Sequence, residues 1–242
     1  MDQLTQIAAG SDIAKFYWKN RGVAPAGYTK GMALVFADVY GRLKNGDAAV
    51  MAMAAAKTDA NHDALGWYDE VFAEAGMKND IAGADTLRHL FVLLIGLGMR
   101  ESSGRYCEGR DRAALNITAD TAEAGLFQTS FNAGSASSLL PAVFTRYRAA
   151  PAGLLEVFRQ GVRCSAADRE NFGDGEGLEF QKLSKQSPAF AAEYAAIGLR
   201  CVRTHWGPIN RREVQLRPEC DAMLRAIQAE VDQSIPDWPI PD

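Results

Sequence analysis

A glutamate at the end of an apolar segment is the residue of this sequence best placed for acid chemistry. Glu101 follows Leu90–Met99, a run of apolar residues and glycine, with only Arg100 between them. In a helix, apolar surroundings and the negative end of the helix dipole both raise the pKa of such a carboxyl group. Arg100 points about 100° away around the helix, so it need not neutralise the carboxylate. A glutamic acid that keeps its proton near neutral pH can act as a general acid.

Four more acidic residues follow Glu101 and are candidates for a second carboxylate, which could activate water as a general base. Glu123 is the first choice because it lies closest to a Gly-Leu-Phe-Gln element, and Asp120 is the second because it falls on a predicted hairpin. Glu108 and Asp111 complete the set. The alternative is that these acids only solvate a loop. Their spacing does not match a calcium-binding EF-hand loop, so we expect neither a metal nor a cofactor.

Composition excludes several classes of protein. The formal net charge of −4 and the pI near 5.5 do not indicate a nucleic-acid-binding protein. Leu90–Met99, the longest run of apolar residues and glycine, is much shorter than the roughly 20 residues that a bilayer span needs, so we expect no membrane span. Residues 1–6 lack the features of a signal peptide. We therefore expect a chain that is cytoplasmic as synthesised and that needs a non-classical route to reach the periplasm or the cell wall.

Apolar residues recur at helical spacing along most of the chain, which predicts a mainly α fold. The helix that Asp85 or Thr86 would cap is apolar on nearly every side, so we expect it to run buried through the middle of the domain. Residues 105–131 are rich in glycine, threonine and acids and predict loops with a small β-hairpin. Residues 171–177 predict a flexible acidic loop. The other predicted helices cover residues 28–43, 47–57, 65–75, 135–149, 153–160, 187–200 and 218–232.

Two short elements together resemble a known family. Glu101-Ser102-Ser103-Gly104, followed about two dozen residues later by Ala124-Gly125-Leu126-Phe127-Gln128-Thr129-Ser130, resembles the goose-type lysozymes and the soluble lytic transglycosylases. Those families carry a Glu-Ser element at the end of a central helix and a Gly-Leu-Met-Gln-type element facing the same cleft. The resemblance covers roughly residues 87–147. More weakly, residues 190–194 look like the late tyrosine helix of the transglycosylases.

The resemblance implies a lysozyme-like fold of the mainly α (α+β) class, with a buried central helix, a small β-hairpin insertion and a cleft. Its catalytic core would cover residues 85–232. Residues 1–84 would form an N-terminal helical region packed on that core, and residues 233–242 an extended C-terminal tail.

The resemblance also implies roles for individual residues. Glu101 would be the general acid, and Ser102 would help to orient it. Tyr194 would form a hydrogen bond near Glu101. Two departures stand out: Phe127 replaces the usual methionine, and Glu123 lies where a small residue is usual. The residues that would line the sugar subsites are Gly125, Leu126, Gln128, Thr129 and Ser130.

The function implied is cleavage of peptidoglycan glycan strands between N-acetylmuramic acid and N-acetylglucosamine. Hydrolysis and lytic transglycosylation both stay open, and the acids after Glu101 favour hydrolysis. One alternative is a non-catalytic module that binds glycan or protein, in which Glu101 would be ionised in a salt bridge. Another is a glycosidase acting on chitin or chitosan. The missing signal suits a phage endolysin or an injected antibacterial effector, and an effector predicts an immunity protein as a partner.

A compact motif, residues 205–210, offers two further candidate ligands of a sugar. Trp206 could stack on a sugar ring and His205 could bind a substituent, although a packed turn is the favoured interpretation.

Four cysteines could cross-link the chain. We favour the pairs Cys107–Cys164 and Cys201–Cys220, because each would staple a loop next to a predicted helix end. Four reduced thiols are the equally weighted alternative.

Overall fold

The computed structural model describes residues 1–111, 117–150 and 154–234. Thirteen α-helices occur in these ranges, none of which is long and apolar enough to cross a membrane. The helices are α1 (Asp2–Gly10), α2 (Ala26–Lys44), α3 (Ala48–Met53), α4 (Ala64–Trp67), α5 (Asp69–Glu74), α6 (Ala84–Ser102), α7 (Leu139–Ala149), α8 (Leu155–Phe158), α9 (Ala166–Arg169), α10 (Gly175–Gln186), α11 (Pro188–Cys201), α12 (Gly207–Asn210) and α13 (Pro218–Ser234). The prediction of a mainly α fold is confirmed.

Helix α6 runs through the middle of the protein. Every residue from Thr86 to Met99 is buried, as expected for a helix that is apolar on all sides. Helices α2, α11 and α13 pack around it. Gly98 lets α2 approach closely, since a Cβ atom at that position would lie 2.3 Å from the hydroxyl of Tyr28. That hydroxyl donates a hydrogen bond to the carbonyl of Ile95 at 2.8 Å, which fixes α2 against α6.

The β-structure lies elsewhere than predicted. A two-stranded antiparallel sheet joins β1 (Tyr17–Trp18) to β2 (Gly22–Val23), near the N-terminus. Within the described part of residues 105–131, the structure has one isolated bridge, between Ala124 and Thr129. Residues 112–116 of that segment lie outside the described residues. In its described part, the predicted hairpin is a turn closed by a single bridge, because short apolar pieces flanked by acids occur in turns as well as in strands.

A helix replaces the last three residues of the predicted acidic loop. Helix α10 begins at Gly175, inside the segment expected to be a flexible loop. Gly177 packs so closely against the chain that a Cβ atom there would lie 2.4 Å from the backbone of Ala119. Glycine is thus required by a tertiary contact, although its low helix propensity predicts a loop. Of the predicted tail, residues 235–242 lie outside the described residues.

One of the two predicted disulfides is present. Cys107 and Cys164 are bonded across a sequence separation of 57 residues. The predicted Cys201–Cys220 pair is wrong, since both thiols are free. The Cys201 thiol points back along its own helix and donates to the carbonyl of Ile197 at 3.3 Å, while Cys220 is fully buried in the core.

A buried ionic cluster ties three helices together. The side chain of Glu193 on α11 is 1% exposed. Its carboxylate lies 2.6 Å from the guanidinium of Arg42 on α2 and 2.5 Å from that of Arg146 on α7. The Tyr147 hydroxyl donates to it at 2.5 Å. A buried carboxylate with this many charged partners is stabilised by them, so loss of any one partner leaves charge unpaired in the core.

Candidate active site

Glu101 lies in the last turn of α6, where the helix leaves the core. It is half-buried, and burial raises the pKa of its carboxyl group to about 7, with the negative charge of Glu123 as the next cause. The helix ends directly after it, because Ser103 adopts a left-handed conformation with a φ of 55°. The predicted position of a desolvated carboxyl group at the end of a buried helix is therefore confirmed.

Glu123 is the second half-buried carboxyl group of the site. Burial raises its pKa to about 7, and the negative charge of Asp111 raises it further. The negative charge of Glu123 raises the pKa of Glu101, so the two side chains interact electrostatically although they are 22 residues apart in sequence. When one of the pair is ionised, its charge opposes ionisation of the other. The pair can therefore hold one proton and one negative charge near neutral pH.

Three arginines lower the pKa of Glu101 against these effects: Arg21, Arg211 and Arg100, in decreasing order. Arg100 is occupied by Glu213, whose carboxylate accepts from its guanidinium at 2.8 Å. Arg21 is exposed and has no carboxylate within ion-pair distance among the described residues. No described cation lies within ion-pair distance of Glu101 itself, so its proton is held by burial and by like charge.

The Gly-Leu-Phe-Gln element forms a tight turn next to the end of α6. Its backbone groups are bonded within the protein: the amide of Gly125 donates to the carbonyl of Glu108 at 2.9 Å, and the side-chain amide of Gln128 donates to the carbonyl of Gly125 at 3.0 Å. Gly125 and Gln128 both adopt positive φ angles, 76° and 46°. The turn is thus a rigid element whose shape depends on its own hydrogen bonds.

Ser102 and Trp206 support this turn through hydrogen bonds to its carbonyl groups. The Ser102 hydroxyl lies 2.8 Å from the carbonyl oxygen of Leu126 and 3.0 Å from that of Gly98, and it donates to one of them at a time. The indole of Trp206 donates to the carbonyl of Phe127 at 2.8 Å. The two residues fix consecutive carbonyls of the turn to α6 and to the segment before α12.

These contacts correct several predicted roles. Trp206 is 2% exposed and supports the turn, which agrees with the favoured interpretation of a packed turn and excludes stacking on a sugar ring. Ser102 binds the turn, and no hydrogen bond joins it to Glu101. Gly125 and Leu126 are buried with their carbonyls already bonded, so their backbone does not line an open subsite. The Tyr194 hydroxyl donates to the carbonyl of Phe131 at 3.4 Å, and no hydrogen bond connects it to Glu101.

The remaining predicted residues divide between the turn and the surface. The His205 ring forms a hydrogen bond with the backbone of Gln128, and burial lowers its pKa. Thr129 is fully buried and its hydroxyl has no partner, while the Ser130 hydroxyl donates to the side chain of Asn132 at 2.7 Å. Asp120 is exposed. Its side chain is therefore in a poor position to be a desolvated second carboxylate, and Glu123 is the better candidate.

A cavity of about 490 Å³ borders the same end of α6 and was not anticipated from the sequence. It is lined by Met99 and Arg100 of α6, by Trp18 of β1, and by the β1–β2 connection, which includes Arg21. Trp18 is 2% exposed, and its buried indole N–H has no hydrogen-bond acceptor among the described residues. Glu101 is the next residue along the helix, on the neighbouring face. The N-terminal hairpin therefore contributes to the surroundings of the site, and its short strands carried no motif that could have shown this.

No group of described residues could hold a metal ion. Comparison of the chain with protein-family models, with curated proteins and with solved structures finds no match.

Proposed function

We propose that this protein cleaves the glycan strands of peptidoglycan, with Glu101 as the general acid. The observation that carries the proposal is a pair of half-buried carboxyl groups, each with a pKa raised to about 7: Glu101 at the end of a buried helix, and Glu123 in the segment that follows it. Cleavage of a glycosidic bond requires a proton for the leaving oxygen, and a carboxyl group with a raised pKa supplies it near neutral pH.

Burial is the largest cause of the raised pKa of both carboxyl groups, but the second cause differs, which favours different roles. The charge of Glu123 raises the pKa of Glu101, so an ionised Glu123 keeps the proton on Glu101. In that state Glu101 donates its proton to the oxygen between N-acetylmuramic acid and N-acetylglucosamine. Glu123 then accepts a proton from the water that attacks the sugar carbon. We therefore propose hydrolysis in preference to transglycosylation, which needs only the acid.

The alternative of a non-catalytic binding module receives less support. That alternative predicts an ionised Glu101 in a salt bridge, whereas no described cation lies within ion-pair distance of it and its pKa is raised. Arg100, the nearest cation in sequence, pairs with Glu213. A half-buried carboxyl group that lacks an ion-pair partner is typical of a catalytic acid and has little value for stability.

Release of soluble fragments from purified sacculi tests the proposal. We expect Glu101→Gln to abolish release, because glutamine fills the same space and cannot donate a carboxylic proton. Glu108→Gln is the matched control, since Glu108 is also a half-buried glutamate with a raised pKa, and it should retain activity. Undiminished release by Glu101→Gln would refute the assignment.

The ends of the released fragments distinguish hydrolysis from transglycosylation. Mass spectrometry of wild-type fragments should show reducing ends, as water is the proposed nucleophile. Anhydro-sugar ends would show transglycosylation and would assign Glu123 another role. Cleavage of soluble chitooligosaccharides without cleavage of sacculi would favour a chitin-directed glycosidase.

A further inference from the structure

A second cavity, of about 620 Å³, lies between the disulfide and the ends of α8, α9 and α10. Its described lining includes four cationic side chains and no carboxylate. In a chain whose formal net charge is −4, such a wall is a local excess of positive charge, which attracts anions. The four cations are Arg159, Arg169, Lys182 and Lys185.

The charges of this wall are only partly neutralised. Arg159 pairs with Glu156 at 2.5 Å, and Lys182 pairs with Glu179 at 2.8 Å. Both carboxylates lie outside the wall and are more than half exposed, so water screens these pairs strongly. Arg169 has no carboxylate within ion-pair distance among the described residues. An anion that enters the cavity therefore meets at least one cation that no carboxylate of the described residues pairs with.

Two buried groups of the wall have hydrogen-bonding capacity left. Lys185 is 8% exposed, and its ammonium donates to the carbonyl of Asp168 at 3.0 Å and to that of Glu170. Burial lowers the pKa of this ammonium, while the carboxylates of Asp168, Glu170 and Glu108 raise it. Two carbonyl acceptors leave one of its three N–H groups without an acceptor among the described residues. The side-chain oxygen of Asn171 is buried and accepts no hydrogen bond. A ligand that carries both carboxylates and amide N–H groups would satisfy both residues.

The cavity adjoins the turn beside the candidate catalytic pair. Cys107 lines the cavity, and the next residue, Glu108, accepts the hydrogen bond from the amide of Gly125. From the other side, the carbonyl of Ser184 would lie 2.8 Å from a Cβ atom on Gly125, and Lys185 follows it along α10. The same turn therefore separates the two carboxyl groups from the basic wall.

We propose that this basic cavity binds the acidic stem peptide that peptidoglycan strands carry on their N-acetylmuramic acid residues. The inference rests on the proposed function, because it assigns a second part of the same polymer to a second site. Carboxylates of the peptide pair with Arg169 and Lys182, and its backbone amides donate to Asn171. The enzyme thereby distinguishes peptide-bearing strands from chitin, which carries the same kind of sugar without peptides.

Calorimetric titration with the free stem tetrapeptide, released from peptidoglycan by an amidase, tests the proposal. The peptide has no glycosidic bond, so binding is measured apart from catalysis. We expect binding that weakens as salt is raised, and a loss of affinity of about ten-fold or more in the double variant Arg169→Glu/Lys182→Glu. Lys78→Glu is the matched control, because this exposed lysine lies before α6, outside the cavity wall, and its reversal should leave affinity unchanged.

The neutral variant Arg169→Gln/Lys182→Gln keeps the test valid if charge reversal disturbs folding, and it should also weaken binding. Absence of peptide binding to the wild type, or equal loss in Lys78→Glu, would overturn the inference. Inorganic phosphate that binds as tightly as the peptide would show a general anion site and would overturn it too. Cleavage of sacculi by a protein that does not bind the peptide would leave the proposed function intact, so the two failures are distinguishable.

Discussion

The hydroxyl of Ser102 lies 2.8 Å from the carbonyl oxygen of Leu126, 24 residues further along the chain. The residue directly after Glu101 is therefore attached to the turn that follows Glu123. This contact joins the two parts of the sequence that carry the candidate catalytic carboxyl groups, so their relative position depends on a buried hydroxyl and on the shape of the turn.

The rate of cleavage should depend on pH with a maximum near 7. Glu101 must be protonated, so activity falls as pH rises above its pKa of about 7. Glu123 must be ionised, so activity falls as pH drops below its pKa, also about 7. We expect Glu123→Gln to reduce the rate strongly and to move the alkaline limb to lower pH, since the charge that raises the pKa of Glu101 is removed.

Measurement of kcat/KM between pH 4 and 9 for wild type and Glu123→Gln checks this expectation. Asp120→Asn is the control, because Asp120 is exposed and should leave the profile unchanged. An alkaline limb of Glu123→Gln at the wild-type position would contradict the coupling of the two carboxyl groups.

Trp206→Phe should lower activity more than its effect on stability explains. The substitution leaves the carbonyl of Phe127 without its buried donor, at a cost of about 1–3 kcal/mol, and releases the turn beside the site. Trp67→Phe is a matched control, since the Trp67 indole donates a hydrogen bond of 2.9 Å to the carbonyl of Ile209 on α12. Thermal unfolding and sacculus digestion of both variants separate the two effects. If Trp206→Phe and Trp67→Phe lose the same stability and keep the same activity, the turn has no role in activity.

Removal of the disulfide should destabilise the protein and weaken the site together. For a separation of 57 residues, loss of the bond costs about 4 kcal/mol. Cys107 precedes Glu108, whose carbonyl holds the amide of Gly125, so the double variant Cys107→Ser/Cys164→Ser should also lose activity. Added reductant should act likewise on the wild type. Cys201→Ser, at a free thiol, should respond to reductant as the wild type does; a wild-type activity insensitive to reductant would contradict the prediction.

Glu193→Gln should be among the most destabilising single substitutions of a charged residue. It leaves Arg42 and Arg146 beside a neutral amide, and breaking such a buried pair costs about 3–5 kcal/mol. For a chain of this size, that corresponds to a fall in Tm on the order of 10 °C. Glu70→Gln, which removes an exposed partner of Arg212, should change Tm little. Similar Tm values for the two variants would contradict the prediction.

The position of Glu101 at the end of a buried helix was predictable from a local signal, an apolar run that ends in a carboxylate. Its proposed role as an acid came from the family resemblance and stays a prediction. Helix α6 was predictable for a similar reason, since consecutive apolar residues indicate a helix that is buried on all sides. Helix α10 was not, because Gly175 and Gly177 have low helix propensity, and no local pattern shows the close contact of Gly177 with Ala119. The turn at Gly125 was taken for a hairpin because short apolar pieces are common to both.

The burial of Trp206 and the position of Arg21 depend on long-range packing. An aromatic residue in a loop can stack on a sugar ring or pack in the core, and the sequence cannot distinguish the two. Arg21 lies in the connection between two strands of two residues each, which are too short to show a pattern. Electrostatic partners that come from distant parts of the chain can be found only from the fold.

The close packing of α2 on α6 limits how far this chain can be shortened. A fragment beginning at Ala84 would keep the candidate carboxyl groups but lose Tyr28, whose hydroxyl fills the space over Gly98 and bonds the carbonyl of Ile95. The exposed groove would run along the most apolar helix of the protein. Such a fragment should aggregate or fail to accumulate, so the proposed activity should require the first eighty residues.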